Sequence, residues 1–185
     1  MKEQHNPSTI TIPGEALQPG FCLYIMEVTD QSDRCLAYYV GMTGDNYYPS
    51  ARSAFHRLAG HFDRASRTTQ RQLGNGIDRQ LANYNLNDLV IKMHHYAIDG
   101  FVPIEGASNK KGPDHFSKPK FTEQYAAYRT RRSAVHQLEQ YVIHLFHQAD
   151  VKVFNKNVRQ ANLPKNGDLV SIANDVKRRF LNRGE

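Results

Sequence analysis

Two apolar runs separated by a short polar turn constrain this chain more than anything else in it. Residues 21–29 and 34–41 are rich in Val, Ile, Leu, Tyr and Phe, and Asp30-Gln31-Ser32-Asp33 lies between them. Such a pattern predicts a β-hairpin. A turn centred on 31–32 sets Tyr24 directly across from Tyr39, with side chains alternating between faces. Cys22, Tyr24, Met26, Ala37, Tyr39 and Gly41 then share one face, and Phe21, Leu23, Ile25, Leu36, Tyr38 and Val40 share the other. Gly41 leaves the backbone bare beside the two tyrosines, as expected where another group approaches closely.

The rest of the chain supplies elements to cover the hairpin. Ser50 is placed to cap a helix over 51–65, with Ala51, Ala54, Phe55, Leu58 and Phe62 as its apolar stripe. Arg57 and His61 are one helical turn apart and share a face. A second helix is expected over 69–84, weakened by Gly74 and Gly76, and a third strand over 88–98. Residues 99–120 form an irregular insert, long for a plain connection. A long helix is predicted from Thr122 to Gln148, with Val135, Leu138, Val142, Leu145 and Phe146 inward. Residues 151–154 read as a short strand delivering Asn155 and Lys156, and 169–181 as a closing helix. Pro7, Pro13 and Pro19 make residues 1–18 an extended arm, with 9–12 as a possible edge strand. The expected fold is α/β (α+β), a small central antiparallel or mixed sheet of about three strands flanked by helices. Its expected parts are an arm over 1–18, a main domain over 19–160 and a basic tail helix over 161–185.

Glu139 is the anomaly in this pattern. It interrupts the apolar stripe of the long helix, and a carboxylate there is costly unless paired or bound to a cation. A buried salt bridge, for instance to Arg57, or a residue snorkelling at the rim of the stripe, is the plain alternative.

Composition narrows the partners. The 185 residues suit one domain, and 24 Lys+Arg against 18 Asp+Glu give a net charge of +6 and a pI near 9.3. That balance favours an anionic partner. Two cysteines make no disulfide framework and fit a reduced, cytoplasmic setting. The polar start is no signal peptide, and no apolar run approaches a membrane span. Nine histidines include His144-x-x-His147, His94-His95 and His136, but no CxxC accompanies them and a zinc site is disfavoured.

The triplets Cys22-Leu23-Tyr24 and Tyr39-Val40-Gly41, followed by Arg57-x-x-x-His61 on a helix, with Glu139 and Asn155 further on, resemble the GIY-YIG nuclease family. The resemblance spans roughly residues 20–157. It implies an endonuclease acting on DNA, double-stranded DNA above all, through one Mg²⁺ (or Mn²⁺) held by Glu139. In that reading Tyr24 or His61 is the general base, Tyr39 orients Tyr24 or the phosphate, Arg57 binds the scissile phosphate, and Asn155 braces the site. One carboxylate suits a single hard cation that keeps several waters, but not a two-metal clamp. Lys110, Lys111, Lys118, Lys120, Arg129, Arg131, Arg132 and Lys156 are the candidate nucleic-acid contacts. Cutting both strands would call for a homodimer. Cys22, Leu23 and Met42 depart from the family pattern, so the alternative expectation is a nuclease-fold protein that binds nucleic acid without cutting it.

Overall fold

A computed structural model describes residues 10–46, 48–63, 71–104, 119–156 and 158–182, with the side chains of 119–121 left outside. The hairpin forms as strands β1 (Phe21–Asp30) and β2 (Cys35–Met42), and β3 (Leu89–Ile98) pairs with the other edge of β1. The sheet is antiparallel throughout, in the order β2-β1-β3. Around it stand α1 (Ala54–Phe62), α2 (Gln72–Gln80), α3 (Pro119–Gln148) and α4 (Gly167–Val176), the last continuing into a wider turn over Lys177–Leu181.

The hairpin register differs from the simple count. Tyr24 pairs with Gly41, and Tyr39 with Met26, two residues away from the expected match. The turn is the cause. Asp30 accepts hydrogen bonds from the backbone N–H of Ser32 and Arg34, at 3.0 and 3.1 Å, and pairs with the Arg34 guanidinium. Asp33 takes a left-handed φ of 66°. A bulge between Val28 and Thr29 absorbs the slip, as bulges beside turns do. Because the shift is even, Tyr24 and Tyr39 keep their common face. Leu36, at the irregularity, moves to the tyrosine face instead of the opposite one.

Both faces of the hairpin are buried. Phe21, Leu23, Ile25, Tyr38 and Val40 pack with Val135, Leu138, Val142 and Phe146 of α3 and with Leu169, Ala173 and Val176 of α4. Cys22, Tyr24, Met26, Val28 and Tyr39 pack with Ala54 of α1 and Leu73 and Ile77 of α2. In α3 it is Ile143, not Leu145, that completes the buried stripe. The two cysteines are free. Among the described residues no helix is long and apolar enough to cross a membrane.

Several local expectations are corrected. The α1 cap is Ser53, whose hydroxyl accepts from the His56 N–H; Ser50 instead donates to Asp45. Residues 10–12 form no strand, and a 3₁₀ turn, Gly14–Leu17, follows them. Residues 64–70 and 105–118 lie outside the described residues, so the ends of the first two predicted helices and most of the insert do too. The 151–154 segment makes only a single parallel bridge, Val153 with Tyr38. Its backbone nonetheless lines the outer edge of β2: Tyr38 N–H donates to Lys152 O and Phe154 N–H to Tyr38 O, each at 2.9 Å.

Candidate active site

At that edge, residues from four elements converge on a cavity of about 350 Å³. Tyr39 comes from β2, Arg57 and His61 from α1, Gln72 from α2, and His136 and Glu139 from α3. Tyr24 stands directly behind them, fully buried. The sheet and α1 fix the two tyrosines and His61 as one aromatic cluster. The His61 ring meets Tyr39 edge-on at 4.7 Å between centroids and Tyr24 at 5.9 Å.

Hydrogen bonds set the polarity of this cluster. Tyr24 Oη lies 3.0 Å from His61 Nε2. On the other side of the ring, the Leu73 backbone N–H reaches His61 Nδ1 at 3.5 Å. A backbone N–H can only donate, so Nδ1 accepts and the neutral ring carries its proton on Nε2, an assignment made from the network. His61 therefore donates to the Tyr24 oxygen. The Tyr39 hydroxyl donates to Gln72 Oε1 at 2.8 Å, and both residues line the cavity.

Burial dominates the electrostatics. It pushes the Tyr24 phenol up to about 12, with Arg57 pulling the other way and Glu139 adding a smaller upward push. Tyr39 is raised further, again by burial first and then by Tyr24 and Glu139. Burial works against the charge on Arg57, but Tyr24, Tyr39 and Asp45 outweigh it and hold the guanidinium firmly protonated. Arg57 Nε is buried without a hydrogen-bond partner among the described residues. An unpaired buried donor costs stability, although the guanidinium also interacts with the Tyr24 hydroxyl, and Arg132 lines the same cavity. The same cavity is also lined by the carboxylates of Asp45 and Glu139.

Glu139 is mostly but not fully covered, with 15% of its side chain exposed. Its Oε2 lies 3.0 Å from His136 Nδ1, and it does not pair with Arg57. Among the described residues there is no group of three or more His, Cys, Asp or Glu that could hold a metal. One carboxylate, with Asp45 lining the same cavity, does fit a hard divalent cation that keeps several waters.

Asn155 does not enter the cavity of Arg57 and His61. Its side-chain amide clasps the Val40 backbone, accepting from Val40 N–H and donating to Val40 O, both at 2.8 Å. It thus extends the ladder on β2 by one step where the backbone of 151–154 leaves off. His144 and His147 lie within hydrogen-bond distance of Val158 O and Asn155 O, at 2.8 and 3.3 Å. His56 is exposed and faces Arg52.

The candidate phosphate contacts divide. Arg132 lines the cavity while its Nε donates to Gly44 O at 3.2 Å. Arg131 is tied to Asp168 and to Asp99 O, and Arg129 lies over the Tyr125 ring. Lys156 is exposed beside Asn155. Lys110, Lys111, Lys118 and the Lys120 side chain fall outside the described residues.

Gln72, His136 and Asp45 line the site without having been singled out for it. The spacing of His136, three residues before Glu139, was a usable signal, since such residues share a helix face. Asp45 is set by tertiary contacts: Tyr128 donates to Asp45 O and Ser50 O, each at 2.9 Å, and pins their loop to α3. No protein-family model matches the chain, and no curated protein or solved structure matches it.

Proposed function

We propose that this chain is a divalent-metal-dependent DNA endonuclease, hydrolysing phosphodiester bonds at the cavity between Arg57 and Glu139. One observation carries the reading. Tyr39, Arg57, His61 and Glu139, scattered over the sequence, line one cavity with Tyr24 immediately behind, and their combined chemistry is that of phosphodiester hydrolysis.

In this reading Arg57 receives the scissile phosphate through its planar fork and stabilises the charge that builds at phosphorus. Glu139 would hold Mg²⁺ or Mn²⁺, which when bound would neutralise phosphate charge and acidify oxygen acids nearby. Tyr24, once deprotonated, is the acceptor for the proton of the attacking water, and burial, which holds the phenol protonated at neutral pH, is what the site must offset. His61 Nε2–H and the Arg57 guanidinium favour the anionic form of the phenol that this role requires. His61 is thus a positioning residue rather than the base, its Nδ1 being turned to the Leu73 N–H. The Tyr39 hydroxyl is held by Gln72, which is exposed at the start of α2.

The full burial of Tyr24 favours a second reading, in which the protein binds nucleic acid without cutting. Plasmid incubated with Mg²⁺ separates the two. Nicking by the wild type and none by Glu139→Ala supports hydrolysis. Equal nicking by both refutes the Glu139 assignment, and binding by both without nicking establishes the second reading.

A further inference from the structure

The cavity at Arg57 has a neighbour. A second cavity, of about 550 Å³, opens between α2 and α3 and shares Tyr39, Gln72 and Glu139 with the first. The two form one trough with Glu139 at the junction. We propose that the second cavity is a strand-binding arm that holds the DNA on one side of the cut phosphate, with Arg79 and Lys156 contacting the phosphates that follow along the strand.

Charge is the first argument. Arg34, Arg71, Lys92, Arg131, Arg178 and Arg179 are each paired with a carboxylate, and none of them lines the trough. Arg79 and Lys156 do line it, both exposed, and neither has an ion-pair partner among the described residues. In the second cavity Glu139 is the only carboxylate among the lining residues. A lining of two unpaired cations with one carboxylate, itself shared with the candidate metal position, matches a polyanion that runs past that position.

Shape and polarity are the second. Gln72, Asn75 and Arg79 recur at helical spacing and present one polar face of α2 to the trough. Gln140 of α3 lines the same cavity. Side-chain amides can donate to and accept from sugars and base edges. A small-molecule pocket is lined mainly by apolar side chains; this one is not. α2 comes close to the base of the cavity because Gly76 has no side chain: a Cβ there would stand 2.5 Å from the Phe154 ring.

The assignment rests on the nuclease reading for the identity of the ligand, and its test uses binding rather than cleavage. A fluorescent DNA oligonucleotide duplex is titrated in EDTA with the wild type, Arg79→Ala, Lys156→Ala and, as a charge-matched control, Lys177→Ala on the exposed surface after α4. Each arm variant is expected to bind about 3–10-fold more weakly and to lower the slope of log K against log salt by about one, the control changing neither. Oligonucleotides with one neutral methylphosphonate linkage then locate the contact. The linkage that weakens wild-type binding should have no further effect in Arg79→Ala. Arm variants that bind and respond to salt like Lys177→Ala, or methylphosphonate effects that add at every linkage, overturn the proposal. Plasmid nicking, scored separately, tells the two failures apart. Wild-type nicking without these couplings sinks the arm alone, while couplings without nicking sink hydrolysis alone.

Discussion

The ring of Tyr24 occupies the space that a side chain at Gly41 would need. The two are paired across β1 and β2, and a Cβ on Gly41 would lie 2.3 Å from both Cζ and Oη of Tyr24. The glycine is therefore a packing requirement of the phenol, and it lets the hydroxyl reach His61. Gly41→Ala is expected to destabilise the fold by about 1–3 kcal/mol, the usual range for forcing an extra methyl into a filled core. Urea unfolding of Gly41→Ala in the wild-type and Tyr24→Leu backgrounds measures the coupling. A similar loss in both backgrounds would show that Tyr24 is not what the glycine accommodates.

Alkaline pH should loosen the same cluster. The buried groups at issue are Cys22, raised to about 11, Tyr24, raised to about 12, and Tyr39, raised further. Raised folded-state values mean that the native chain holds these protons more tightly than the unfolded one. The stability they lend is complete below the unfolded values, about 9 and 10, and is lost as pH rises through the folded ones. Unfolding free energy should thus begin to fall above about pH 9, with Tyr24 contributing roughly 2 kcal/mol of the loss by about pH 12. Tyr24→Phe should flatten the upper part of that decline. An unchanged slope in the variant would mean that the phenol is not held protonated by burial.

Asn155 supports the site from a distance. Its two hydrogen bonds to Val40 fix the residue just before Gly41. At about 0.5–1.5 kcal/mol each, with two backbone groups left unpaired, Asn155→Ala should cost roughly 2–3 kcal/mol. Asn155→Asp keeps the acceptor for Val40 N–H but sets a carboxylate against Val40 O, so it should do no better. If both variants unfold at wild-type urea concentrations, the clasp has no stabilising role.

These relationships differ in how far the sequence announces them. Period-two alternation gave Tyr24 and Tyr39 a common face because side-chain parity survives an even slip in register. The slip itself was hidden, since it depends on the Asp30 carboxylate gathering the Ser32 and Arg34 N–H groups. Helical spacing put Arg57 with His61, and a polar residue in an apolar stripe drew attention to Glu139. Nothing local says that Gln72 takes the Tyr39 hydroxyl or that Tyr128 ties down the Asp45 loop, because those partners are brought together only by packing of α2 and α3 beside β2. Gly74 and Gly76 read as flaws in α2. Yet Gly76 is what brings that helix against Phe154, a gain that propensity cannot register.

Arg57 offers a test in which stability and activity should move in opposite directions. Its Nε is buried and unsatisfied, a cost carried by the folded state. Replacing it with methionine, which has similar length and no charge, removes the orphaned donor. It also removes the cation that draws the Tyr24 phenol downward. Arg57→Met should therefore unfold at equal or higher urea, with a gain of up to about 1–2 kcal/mol. Its cleavage rate should fall by roughly 10²–10³-fold in kcat, the scale of losing one preorganised charge stabiliser. Arg57→Lys keeps the charge without the planar fork and should recover only a small part of that rate. Steady-state kinetics on a defined oligonucleotide, beside urea curves for the same three proteins, decide the matter. A variant that is both destabilised and fully active would make Arg57 a packing residue and remove the phosphate-binding role.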